Sequence, residues 1–153
     1  MPKTEIARLE DLAGRVGQEL AVSDWLTITQ ERINLFAEAT GDHQWIHVDV
    51  ARAARDSPYG GTIAHGYLTL SLLARFVQES IKVGNVRMGV NYGLNRVRFT
   101  SPVKAGQTVR AHFKLAAFEE IAGGAQVTWS ATVAIEGSEK PACIAEMVSR
   151  WYT

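Results

Sequence analysis

The sequence predicts an α+β fold in which an antiparallel sheet wraps one long helix. Three observations predict it. The segment from Tyr67 to Val77 carries a single charge, Arg75, and is otherwise apolar nearly all round, with Leu68, Leu70, Leu72, Leu73, Phe76 and Val77. A helix without a polar face is buried on most sides, and in a chain of 153 residues a sheet wrapped around it is one way to bury it. Val109, Ala111, Phe113, Leu115 and Ala117 alternate with Thr108, Arg110, His112 and Lys114, and Val127, Trp129, Ala131, Val133 and Ile135 alternate with polar or small residues. Such period-two patterning over about ten residues marks long antiparallel strands with one buried face. Finally, Gly123-Gly124 and the run EGSEKP from Glu136 to Pro141 punctuate these strands as hairpin turns.

From the N-terminus, Thr4 to Leu12 reads as a short helix, with Ile6, Leu9 and Leu12 at helical spacing, and Gly14 and Gly17 break the pattern. Leu20 to Thr27 reads as a strand. Thr29 caps a helix whose apolar stripe is Ile33, Phe36 and Ala37, widened by Leu35; Arg32 stands where a capping box would have Glu or Gln. Gly41 ends that helix. A polar loop follows, broken at SPYGG (Ser57–Gly61), and then the apolar helix. Asn91 to Phe99 and Ala142 to Tyr152 supply further strands. The length fits one domain over 1–153.

Composition narrows the function. Lys+Arg and Asp+Glu are 16 each, with no charge run or basic stripe, which argues against a nucleic-acid partner. A near-neutral chain fits a protein that covers part of its surface in an oligomer. The single Cys143 excludes an internal disulfide and a multi-cysteine metal site, and its place in a strand-like run predicts a buried thiol. The N-terminus has no apolar signal segment, and no stretch reaches the roughly 18 apolar residues of a membrane span. The expected compartment is the reducing cytoplasm.

The chemistry concentrates in ATGDHQWIHVD, from Ala39 to Asp49. His43 and His47 have the helical spacing of two metal ligands, but a zinc-protease motif needs Glu at position 44, where Gln44 stands. Gly41 has ended the helix, and no other His or Cys is placed to help, so no metal is expected. Asp42 and His47 can instead converge on one water, the carboxylate accepting a hydrogen bond and the imidazole exchanging protons near neutral pH. A polar loop with a capping Asp is the plainer alternative. The run GGTIAHG ends at the N-terminus of the apolar helix, where free N–H groups and the helix dipole suit a developing oxyanion. Gly66 allows a carbonyl to approach closely, and a simple turn before a core helix is again the plainer alternative.

The residues from Phe36 to Leu73 resemble the signature of the MaoC-like hydratases, the (R)-specific enoyl-CoA hydratase family, including its nodulation-protein-N-like branch. Gly41, Asp42, Ile46, His47 and Asp49 match the pattern Gly-Asp-x-Asn-Pro-(Ile/Leu)-His-x-Asp, and Ala64, His65 and Gly66 match the (Ala/Val)-His-Gly that opens its long helix. RVRFTSPVKAGQTV, from Arg96 to Val109, is similar to a further strand and turn of the family. The likeness runs from about Leu20 to Trp151. Gln44-Trp45 departs from the Asn-Pro pair and puts the loop backbone and nearby pocket wall in question, with Trp45 read as filling space in the protein or near an acyl chain. The resemblance implies a hot-dog fold, with a curved antiparallel sheet around the helix, pairing as a homodimer edge to edge. It implies reversible hydration of trans-2-enoyl thioesters to (R)-3-hydroxyacyl thioesters, on CoA or a carrier protein. Asp42 and His47 would be catalytic, Gly66 the oxyanion donor, and no cofactor would be needed. Ala64, His65, Tyr92 and Asn95 are candidate substrate contacts. Asp49 is read as orienting the loop or capping the turn, and His43 as solvent-facing or structural. A hot-dog thioesterase and a non-catalytic acyl-thioester-binding dimer are the alternative readings.

Overall fold

The computed structural model describes residues 2–153. Its main sheet joins β2 (Glu19–Val22), β6 (Thr108–Ile121), β7 (Gly124–Ile135), β8 (Cys143–Tyr152) and β5 (Met88–Arg98) in that order, all antiparallel, and β3 (Leu26–Thr27) also pairs with β6. The sheet is open, not a closed barrel. The apolar helix is α4 (Gly66–Ser80), packed against β2, β6 and β8.

The alternating residues do what their period requires. Val109, Ala111, Phe113 and Leu115 of β6 and Val127, Trp129, Ala131 and Val133 of β7 point into one core with Leu68, Leu72, Leu73, Phe76 and Val77 of α4. Each large side chain so buried contributes about 1.5–3 kcal/mol. Cys143 lies in this core, and burial pushes its thiol up to about 11, which leaves it inert. No helix among the described residues is long and apolar enough to cross a membrane.

The N-terminus differs from expectation. Thr4–Ile6 is a strand, β1, paired in parallel with β4 (Ile81–Val83), and a 3-10 helix follows at Leu9–Arg15, running through Gly14. Ile6, Leu9 and Leu12 are all buried, but through two elements rather than one. Pairing with a strand 77 residues away decided the first, and no local pattern carries that information. The segment read as one strand, Leu20–Thr27, is likewise split into β2 and β3.

Helix α1 (Gln30–Thr40) is capped as expected: the Thr29 hydroxyl accepts the Arg32 N–H at 3.1 Å, and Gly41 at φ +80° donates to the Ala37 carbonyl at 2.8 Å. Ile33 and Ala37 face the core and Phe36 packs at its edge, whereas Leu35 is exposed and does not widen the stripe. The polar loop expected after it contains two short helices, α2 (Trp45–Val48) and α3 (Val50–Asp56). Asp49 caps α3, its Oδ1 accepting the Arg52 N–H at 3.0 Å. The Arg52 guanidinium lies 4.2 Å over the Trp45 ring, so Trp45 packs against its own helix pair.

Strand β5 was legible as a strand but not in its setting. It forms one edge of the sheet, pairs among the described residues with β8 alone, and is exposed along nearly its whole length. Met88, Val90, Tyr92 and Leu94 on it are large and apolar, and Tyr67 and Phe99 extend the same exposed set.

Candidate active site

Three segments meet at the N-terminus of α4. The left-handed turn at Gly41 redirects the chain so that Asp42 leaves α1 towards α4. The one-turn helix α2 carries His47 inward, where it is buried. The segment Thr62–Ala64 is pinned on both sides, Ile63 N–H donating to Ile46 O at 3.0 Å and Ala64 N–H to Val103 O at 2.7 Å. It delivers His65 and Gly66 to the same point.

His47 Nδ1 lies 2.7 Å from the Ile63 carbonyl oxygen. A carbonyl only accepts, so the proton is on Nδ1 and Nε2 keeps its lone pair. The His65 ring stacks on His47 at 3.9 Å between centroids, and its Nε2–H donates to the Asp42 backbone carbonyl at 2.9 Å. Asp42 is exposed, with its Oδ1 3.4 Å from the Gln44 N–H. An oxygen of the Asp42 carboxylate and a ring nitrogen each of His47 and His65 lie within 4.8 Å of one another. His43 is exposed, 3.6 Å from Glu38, and stays outside this cluster; the expectation that no other histidine is placed to help is corrected, because His65, 18 residues on from His47 in the chain, joins it.

Burial pushes the His47 imidazole below its ordinary value of about 6.5, and the adjacent His65 ring pushes the same way; the Ile63 hydrogen bond and the Asp42 charge act against them. The neutral form thus persists to lower pH than in a free histidine. The unfolded chain binds a proton at His47 near pH 6.5 that the folded chain refuses, so this group's contribution to stability rises with pH between the folded value and about 6.5. Between pH 7 and pH 5 the parent should lose stability in denaturant titrations, and His47→Gln should lose less. Equal losses in the two would contradict the buried, neutral ring.

Gly66 opens α4, and no acceptor among the described residues pairs with its N–H. A Cβ built there would stand 2.9 Å from Cδ2 of the Phe99 ring, so glycine is required for the packing as it stands. Beyond Gly66, a cavity of about 270 Å³ lies between α4 and β5, lined by Leu70, Ser71, Ala74, Asn91, Tyr92 and Leu94. Tyr92 thus faces the cavity, with the Arg150 guanidinium 3.6 Å over its ring, whereas the Asn95 amide donates to Glu146 at 3.2 Å and does not line that cavity. Ala64 is buried and held by its backbone.

Sequence reasoning missed Gln30. Its Nε2 donates to the His47 carbonyl at 2.8 Å and its Oε1 accepts the Thr62 hydroxyl. A glutamine in the first turn of a helix looks like a solvated residue, and nothing local signals otherwise.

The family model for the MaoC like domain matches residues 11–136. The 3-hydroxyacyl-thioester dehydratase Z of Mycobacterium tuberculosis is 54% identical over 142 residues, covering 92% of this chain and 93% of the relative. Nodulation protein N of Rhizobium leguminosarum bv. viciae is 49% identical over 143 residues, covering 92% and 89%. Among solved structures, the unliganded R-hydratase PhaJ1 from Pseudomonas aeruginosa superposes with a TM-score of 0.72 at 23% identity, covering 90% of this chain and 81% of that one. That likeness shows the fold, and the expected hot-dog arrangement is borne out.

Proposed function

The chain belongs to the MaoC-like dehydratase family and is a hydro-lyase; from that premise we propose that it adds water reversibly across trans-2-enoyl thioesters to give (R)-3-hydroxyacyl thioesters. The observation that supports this reading best is the His47 tautomer. A neutral imidazole whose Nδ1–H is committed to Ile63, in one cluster with the Asp42 carboxylate, offers a base and an acceptor for one water. The thioester carbonyl accepts from the Gly66 N–H at the positive end of α4, which draws electrons from the double bond. His47 takes a proton from the water, the oxygen bonds C3, and the π pair moves through C2 into an enolate held at Gly66. The proton then returns to C2, the new C–H bond closing the addition. The relative named as a 3-hydroxyacyl-thioester dehydratase is named for the reverse direction of such a reaction, which supports the reading. The step requires no metal or redox group.

The acyl chain runs one helical turn down α4, from Gly66 past Leu70 and Ser71 into the cavity beside β5. A second copy pairs along the apolar β5 edge, because a long exposed edge strand is otherwise a template for uncontrolled association. With (R)- and (S)-3-hydroxyacyl-CoA offered separately, only the (R) form should be converted to the enoyl thioester. Equal conversion of both, or conversion of (S) alone, overturns the assignment of hand.

Gly66→Ala tests the oxyanion donor. The new Cβ meets Phe99, whose half-exposed ring can yield, so the cost in stability is about 1 kcal/mol. The loss in kcat/KM should exceed roughly tenfold, since a displaced donor weakens transition-state binding. A variant as active as the parent would mean that Phe99 yields without displacing the main-chain N–H, which alanine retains.

A further inference from the structure

We propose that Gln30 is a positioning residue for His47, its single amide group holding both the backbone of that histidine and the segment that orients its ring. The proposal rests on the reading of His47 as the base. Gln30 stands half-buried at the start of α1. Its Nε2 donates to the His47 carbonyl at 2.8 Å and to Asn34 Oδ1 at 2.9 Å, and its Oε1 accepts from Thr62 Oγ1. Both donors and the acceptor of the amide are therefore engaged.

The two ends of this bridge matter because of what they adjoin. The His47 carbonyl lies near the C-terminus of a four-residue helix, where carbonyls have no intrahelical partner. A helix that short does not hold its own shape. Thr62 directly precedes Ile63, whose carbonyl fixes the Nδ1–H of His47. One side chain thus fixes His47 from its backbone and, through Thr62, the acceptor of its ring. The Ile63 N–H to Ile46 O bond joins the same two segments without Gln30. Losing the amide therefore leaves α2 docked and loosens only the aim of the imidazole. Its hydrogen bonds reach neither Asp42 nor α4, so the effect falls on the base alone.

Gln30→Leu removes donor and acceptor while keeping the stem. Gln30→Glu keeps an acceptor for Thr62 but sets a carboxylate oxygen against the His47 carbonyl. Two readouts separate orientation from general damage. Nitrogen-15 shifts of the His47 ring, assigned by their loss in His47→Ala, report the tautomer with no substrate present. Steady-state rates with a trans-2-enoyl-CoA give kcat and KM. The parent should show the Nδ1–H tautomer alone. Both Gln30 variants should mix in the Nε2–H form and lose kcat by roughly tenfold to a hundredfold, the scale of a small misplacement of a catalytic group, with KM nearly unchanged. Folded variants that keep the parent's tautomer overturn the proposal, whether or not kcat falls. Should Gln30→Leu not fold, the near-isosteric Gln30→Glu decides. Should the parent not hydrate enoyl thioesters, the reading of His47 as the base fails separately, and the tautomer shift still tests whether Gln30 orients the ring.

Discussion

On the proposed mechanism, His47→Ala and Asp42→Asn should each lower the hydration rate by roughly 10² to 10⁴, the range for loss of a positioned acid or base. The two losses differ in kind. His47 is buried, its Nδ1–H committed to Ile63, so only Nε2 is free for chemistry. Its removal takes away the proposed proton acceptor and also leaves the Ile63 carbonyl unpaired in a buried place, which costs stability as well. Asp42 is exposed, and Asn at that position keeps the size and most of the local hydrogen bonding while losing the charge. Asp42→Asn should therefore fold with the parent's stability and fail in turnover. The combined variant should lose far less than the product of the single losses if, as proposed, the pair holds one water and acts as a unit. Initial rates for the three variants and the parent, at one protein concentration, check this. Multiplicative losses would mean that the two side chains act in separate steps.

Trp129→Ala is expected to have the largest effect on stability, about 3–5 kcal/mol. Trp129 is fully buried in β7, opposite Leu115 of β6 and Met147 of β8, with Phe113 edge-on at 6.2 Å and Trp151 at 6.1 Å between ring centroids. It is the largest side chain among the fully buried ones, and the sheet cannot close over the space it leaves. Such a loss is a large part of the 5–15 kcal/mol that holds a typical domain folded. Trp129→Phe should cost much less. The Trp129 Nε1–H is buried without a partner among the described residues, so phenylalanine removes an unsatisfied donor along with part of the ring. Denaturant midpoints by circular dichroism measure both, at one fixed protein concentration. Equal losses for Ala and Phe would show that the packing of the second ring, not the core volume, sets the cost.

How far the molecule is legible in its sequence follows from which forces are local. The strands around Val109–Ala117 and Val127–Ile135 are plain, because a period of two and one buried face specify them residue by residue. Helix α1 is plain because Thr29 and Gly41 mark its ends chemically. The helices α2 and α3 are not, since four and seven residues carry too little periodicity and α2 depends on distant partners, Ile63 and Gln30. The N-terminal strand is misread for the same reason: three residues take their conformation from β4. In the site, the motif positions Asp42, His47 and Gly66 could be named in advance as expectations. The stacking of His65 on His47 and the reach of Gln30 could not, because both arise where the chain folds back on itself over 18 and 17 residues. The exposure of β5 is also hidden, since its apolar residues look like core until the sheet order puts them at an edge.

The central claim is that this site adds water to carbon rather than cutting the thioester. The most direct test follows the enoyl-thioester absorbance of crotonyl-CoA and of a medium-chain trans-2-enoyl-CoA, with chelator present, while free thiol is measured in the same cuvette. Hydration predicts that absorbance falls to an equilibrium with no thiol released, and that Asp42→Asn abolishes the change. Thiol released at the rate of absorbance loss would make the protein a thioesterase. No change with either chain would leave a protein that binds acyl thioesters without turning them over, and would contradict the account.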